Sequence, residues 1–148
     1  MIQRGAQLAL SEINAAGGIL GRQVQLVIED NQSTNPGTVL AYSKLVDQKV
    51  VAVIGPLRST QVQAASPTIA KAKLPAIIGG SDPSLTRVNN PWIFRVRPND
   101  FYSSRVVAEF GTKDLGKKKW AIIHSTDTFG ANGKIALTAA LKSLGIEP

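Results

Sequence analysis

Residues 50–54 read Val-Val-Ala-Val-Ile, five apolar positions with no polar alternation. A strand with one face in water alternates apolar and polar side chains, so an unbroken run fits a strand covered on both faces. Parallel strands of that kind need long crossovers, usually helices. The run therefore predicts a β-α rhythm in the flanking sequence. On its far side a Gly-Pro turn, Gly55–Thr60, leads into a helix carrying Val62, Ala65 and Ile69, with Pro67 as a kink or an early-turn residue. Pro75–Ile78 is a second short strand, closed by Gly79-Gly80-Ser81-Asp82-Pro83.

The rhythm extends in both directions. Ile2, Ala6, Ala9, Leu10 and Ile13 form the stripe of an amphipathic helix, stopped by Gly17-Gly18. Val24, Leu26 and Ile28 alternate with glutamines as a half-buried strand. Asn35-Pro36 opens a helix to about Gln48 that buries Val39, Leu40 and Val46. Beyond the central strands, Trp92–Val96 is extended, and Asn99 or Asp100 caps a helix holding Tyr102, Val106 and Phe110. Trp120–Ile123 reads as a strand. A helix from about Asn132 to Leu144 stripes Leu137, Leu141 and Leu144, with Gly145 as its cap. Strands alternating with helices define an α/β fold, a three-layer parallel sheet with helices on both faces. The pattern opens on a helix with no strand before it and closes at Ile146-Glu147-Pro148, where a strand should begin, so the sequence reads as part of a larger fold.

Composition narrows the function classes. The chain has 148 residues, 43% of them hydrophobic, which is enough for a core and too apolar for disorder. The apolar runs fall far short of the roughly 18 residues that a membrane span requires. There is no cysteine and only one histidine, which removes disulfides, thiol chemistry and thiolate metal sites. The formal net charge is +7, yet the basic residues are scattered. The one run, Lys117-Lys118-Lys119, suits a solvated start to the following apolar segment. Aromatics are 5% of the chain, too few for a base-stacking platform, so no nucleic-acid partner is expected.

In open parallel sheets, ligands bind beyond the carboxyl ends of the strands. Two loops there carry small and hydroxyl residues: Gly55–Thr60, and Gly79-Gly80-Ser81. Glycine lets a ligand approach the backbone, and free N–H groups at a helix start favour an anion such as a carboxylate. Ser59, Thr60 and Ser81 offer hydroxyls. The same residues also suit ordinary β-α turns. Phosphate-binding motifs are absent, since Gly17-Gly18-Ile19-Leu20-Gly21 follows a helix rather than a strand. No cofactor is implied. An enzyme reading would use His124 and Ser125 with Asp127 near, but no nucleophile elbow is present, and adjacent strand positions face opposite ways. Glu29-Asp30 reads as a solvated strand-end cluster rather than an acid–base pair.

A series of segments resembles one family. Gly5–Leu10, Glu12–Ile19 and Gly21-Arg22 are similar to the first helix and turn of the periplasmic leucine/isoleucine/valine-type binding proteins, the type I solute-binding components of ABC importers. The likeness continues through Val27–Asn31, Val53–Pro56, Ser81–Thr86, Phe94-Arg95, Ala121–His124 and Phe129-Gly130, in order over essentially the whole chain. The resemblance implies a non-enzymatic two-lobed protein closing on an amino acid or related small carboxylate. It implies residues 1–99 as a first lobe lacking its first strand, and 100–148 as the beginning of the second. The ligand-binding positions it implies are Ser59, Gly79, Gly80 and Ser81, where it agrees with the turn argument. It also implies Asp100 at the crossing between lobes and Phe129 as an aromatic cover, often Tyr in the family. Arg58 departs from the small or apolar residues common there, and either recruits a second carboxylate or points to solvent. The complete protein is expected in the periplasm, or lipid-anchored outside the cytoplasm, with an ABC permease as partner. Relatives also bind amides, urea or aromatic acids. A ligand-sensing regulatory or receptor module of the same fold is the alternative. Cut sheet edges predict that the chain self-associates.

Overall fold

A computed structural model describes residues 2–148, which divide into two compact units, residues 2–30 and 31–148.

In the first unit, helix α1 spans Ile2–Ala15. Gly17 takes φ +100°, and the Gly18 N–H donates back to the Ile13 carbonyl at 2.9 Å. That is the left-handed stop expected from the Gly-Gly pair. A tight turn with mutual Ile19–Arg22 backbone bonds follows. The expected strand at Val24–Ile28 does not form. Strand structure requires a backbone partner, and at Val24 a side chain takes that place. Asn14 Nδ2 donates to the Val24 carbonyl at 2.9 Å, while the Val24 N–H donates to Asn14 Oδ1 at 2.8 Å.

The second unit follows the predicted order of elements, but the 50–54 run is not a strand covered on both faces: only Val53–Ile54 pairs, Val53 is buried, and Val51 and Ile54 are exposed. Helix α2 (Asn35–Asp47) leads to β1 (Val53–Ile54), then α3 (Ser59–Ala72), β2 (Ala76–Ile78), a 3-10 turn (Pro83–Thr86) and β3 (Ile93–Arg95). The strands form a parallel sheet in the order β1-β2-β3, with Val53 opposite Ala76 and Ala76 opposite Ile93. Thr34 caps α2 by accepting from the Gly37 N–H, and proline sits in its first turn. Its buried face is rotated from the expected one: Thr38, Ala41 and Tyr42 are buried, Val39 is half-buried and Val46 packs against the core, whereas Leu40 is exposed. The i, i+3, i+4 set is organised by Tyr42, whose hydroxyl donates to the Leu74 carbonyl at 2.6 Å. Burial pushes that phenol up to about 12. α3 runs unbroken through Pro67, which lies in its interior. The core joins Tyr42, Val62, Ala65, Ile69, Ile78 and Leu85 between these elements.

Helix α4 (Asp100–Glu109) is capped by Asn99 and runs into a π-turn at Phe110–Asp114. Helix α5 (Thr128–Lys142) packs on α4 and begins four residues before its expected start, because Asp127 caps it by accepting from the Gly130 N–H. Gly145 provides the expected left-handed stop at φ +76°. Trp120–Ile123 is not a strand: it has no ladder partner among the described residues, and Ile123 is fully exposed. Trp120 instead lays its ring against Gly111, whose lack of a side chain makes the room. Among the described residues, no helix is long and apolar enough to cross a membrane.

Candidate functional site

The carboxyl ends of all three strands feed one depression. A cavity of about 290 Å³ is lined by Leu57, Arg58, Ser59 and Thr60 after β1, by Gly79 and Ser81 after β2, by Arg97 after β3, and by Asp127 and Phe129 at the start of α5. Its volume lies near the lower end for small-ligand sites.

The register of the loops explains the geometry. Ser59 and Thr60 are the first two residues of α3, so their backbone N–H groups belong to the helix start; the first helical bond is made by the Val62 N–H to the Arg58 carbonyl. Thr34, Asn99 and Asp127 each cap their helices with a side-chain oxygen. At α3 the N-cap is Arg58, and its side chain makes no capping bond. A guanidinium has no acceptor, so it cannot make one. The α3 start therefore keeps donors and the positive end of its dipole for whatever lies in front of it.

The second loop is held close to the first. The Gly79 N–H donates to the Pro56 carbonyl at 3.0 Å, and the Asp82 N–H donates to Ser59 Oγ at 3.2 Å. A side chain on Gly79 would run into Leu57. Gly80 faces the core instead, where an added Cβ would lie 2.6 Å from Leu85 Cδ1 and 3.2 Å from Ser59 Cα. Glycine eases the close approach at both positions, since an added Cβ would push a leucine end aside and come within 3.3 Å of Leu57 Cα or 3.2 Å of Ser59 Cα. Arg95, reaching back from β3, donates to the Asp82 carbonyl at 2.6 Å, the Gly80 carbonyl at 3.3 Å and Thr86 Oγ1 at 2.8 Å. Burial pushes its guanidinium below the usual value, and the charges of Asp82 and Asp100 oppose that shift. The buried Asp82 carboxylate accepts from the Ser84 N–H at 2.9 Å and from Asn132 Nδ2 at 2.8 Å, tying the loop to α5. A second tie runs from Thr128 Oγ1 to Gln63 Oε1 at 3.0 Å.

Of the residues singled out in the sequence, Arg58, Ser59, Thr60, Gly79, Ser81 and Phe129 meet at the cavity. Gly80 supports it from behind. Asp100 lies outside the lining; its N–H donates to the Ser81 carbonyl at 2.9 Å, and its Oδ2 is buried without a partner among the described residues. Sequence reasoning passed over Leu57, Arg97 and Asp127 as ligand-facing residues. Arg97 had a usable signal, because it follows the third strand as the two chosen loops follow the first two. Its Nη1 donates to the Gly79 carbonyl at 3.3 Å. The Ser125 hydroxyl and the Gly130 N–H hold the Asp127 carboxyl below the usual carboxylate range, with Arg58 adding to the effect.

No nucleophile pair is assembled. The Ser125 hydroxyl donates to Asp127 Oδ1 at 2.6 Å, and His124 Nδ1 lies 2.8 Å from the Ser125 carbonyl, so the imidazole does not meet the hydroxyl. No metal-binding cluster occurs among the described residues.

A parallel α/β sheet with a concave site at its carboxyl edge has the form of a ligand-binding protein. The chain belongs to the periplasmic binding protein family, whose model it matches over residues 1–147. An amino acid binding protein of Pseudomonas aeruginosa is 36% identical over 146 residues, covering 97% of this chain and 39% of that protein. Among solved structures, an ABC transporter substrate-binding protein of Desulfitobacterium hafniense in complex with Leu aligns with TM-score 0.88 at 26% identity, covering 97% of this chain and 43% of that one. The branched-chain amino acid transporter substrate-binding protein LivJ of Streptococcus pneumoniae, in complex with isoleucine, aligns with TM-score 0.87 at 30% identity, covering 95% and 41%. The fold is thus the type I periplasmic-binding-protein fold. The chain spans well under half the length of these relatives.

Proposed function

We propose that this chain forms part of a solute-binding protein of an ABC importer, which captures an amino acid or related small carboxylate outside the cytoplasm and delivers it to a permease. One observation carries the reading: the loops after β1 and β2 converge, with the uncapped start of α3, on a cavity of about 290 Å³ lined by Ser59, Gly79 and Ser81. That donor set fits a carboxylate. Phe129 supplies an apolar face without the hydroxyl that a tyrosine would add. In this reading residues 1–99 belong to a first lobe and 100–148 begin a second, with Asp100 at the crossing between them.

Isothermal titration tests it. The full-length protein containing this chain, unfolded and refolded to remove carried-over ligand, should bind at least one small carboxylate with a stoichiometry near one. Ser59→Ala combined with Ser81→Ala should weaken that binding by about tenfold or more, as expected for loss of hydrogen bonds to a charged group. Absence of binding across proteinogenic amino acids, dicarboxylates and aromatic acids would remove the reading. Permease and ATPase genes beside the coding sequence support the importer role; a regulator gene there favours a ligand sensor of the same fold.

A further inference from the structure

The cavity contains more positive charge than a neutral amino acid can answer. For such a ligand, one carboxylate is served by the α3 start and the Ser81 side of the cavity. Two guanidinium groups then remain at the mouth of the cavity, Arg58 and Arg97, both exposed, so Arg58 lines the cavity and reaches solvent at once. Arg58 occupies a cap position that it does not cap. Arg97 is tethered by a single bond to the Gly79 carbonyl at 3.3 Å, which leaves most of its five donors unused. Neither arginine forms an ion pair with a carboxylate among the described residues. The only carboxylate in the lining is Asp127, and its Oδ1 already accepts from Ser125 and Gly130. An isobutyl or sec-butyl side chain laid against these groups would strip water from two cations and return nothing. A second anion would instead receive planar, two-pronged donors suited to carboxylate.

The geometry points to a ligand with two acidic groups, a small dicarboxylate or an acidic amino acid, whose second carboxylate is held by Arg58 and Arg97. This rests on the solute-binding reading and narrows it. Asp127 lines the same cavity and is the carboxylate among the described lining residues, the charged acceptor for a ligand ammonium, which would distinguish an acidic amino acid from a plain diacid.

The experiment is calorimetric titration of the full-length, ligand-stripped protein with L-glutamate, glutarate, L-leucine and 4-hydroxybenzoate at two salt concentrations. Glutamate or glutarate should bind about tenfold or more tightly than leucine, with affinity falling as salt rises. Arg58→Met and Arg97→Met should each lower diacid affinity by about tenfold while leaving the melting temperature within a few degrees. A preference for glutamate over glutarate that Asp127→Asn abolishes assigns the ammonium to Asp127, because asparagine keeps the helix cap. Tighter binding of leucine or hydroxybenzoate than of both diacids overturns the two-acid ligand and leaves the solute-binding reading standing. Tight diacid binding unaffected by both arginine variants overturns the role of Arg58 and Arg97. Silence with all four compounds counts against the solute-binding reading and this proposal together.

Discussion

Tyr42 shows how one side chain selects a helix face. Its ring is buried in the core of the second unit, and its hydroxyl satisfies the Leu74 carbonyl at the end of the α3–β2 turn. Removing the hydroxyl leaves that carbonyl without its partner, so Tyr42→Phe should cost about 1–2 kcal/mol in denaturant unfolding. Its pH dependence follows from the phenol being pushed up to about 12 from 10.0. A raised pKa stabilises the fold fully below pH 10 and loses that contribution as pH climbs towards 12. The phenylalanine variant should lack this alkaline loss, and an unchanged alkaline melting profile would contradict the assignment. Gly80 makes a second test at this scale. An added methyl at 2.6 Å from Leu85 Cδ1 and 3.2 Å from Ser59 Cα must rotate the buried leucine and press on the first residue of α3. Gly80→Ala is expected to destabilise by about 1–3 kcal/mol, and to weaken ligand binding through Ser59. A thermal melt matching the parent, with unchanged affinity, would show that the loop absorbs the methyl freely.

At the scale of elements, the helix starts reveal what local sequence carries. Asn99 is visible as a cap because its chemistry acts within four residues, and α4 begins where that chemistry places it. At α2 the sequence points to Asn35 as the cap, but Thr34 takes that role and Asn35 becomes the first helical residue, one position earlier than expected. α5 was read short because Gly130 and Gly133 weaken the helical pattern, while the cap at Asp127 fixes the start. The strands expected at Val24–Ile28 and Trp120–Ile123 do not form, for the opposite reason. Periodicity reports which side chains seek cover, but a strand exists only when another backbone pairs with it. The two ligand loops were legible because they follow strands. Arg97 stays hidden in the sequence because the three-residue third strand reads only as extended chain. The uncapped α3 start yields a prediction in which stability and function diverge. Arg58→Ser supplies the missing acceptor and should stabilise the fold by about 1 kcal/mol. If Arg58 serves the ligand, the same change lowers affinity. A variant that is both less stable and fully competent would contradict both halves.

On the scale of the whole chain, the sheet explains a property that the site does not. Among the described residues β1 and β3 each pair only with β2, so each presents an outer edge of unpaired backbone groups. Apolar side chains lie open around those edges and in the unpaired segments: Val51 is 90% exposed, Val96 78% and Ile123 100%. Such a surface buries itself against another copy, by strand addition or by exchange of an element. The 148-residue chain on its own should therefore sediment as a concentration-dependent mixture heavier than a monomer. Val96→Lys combined with Ile123→Lys places charge at the β3 edge and on the unpaired strand-like segment. This pair should shift the mixture towards monomer without lowering the melting temperature, because neither side chain contributes to the core. A parent chain that sediments as a clean monomer across a hundredfold concentration range would show that these edges are silent. If the two lysines leave the association unchanged, its contact surface lies elsewhere, and the open α1 stripe, where no residue is buried, becomes the next surface to charge.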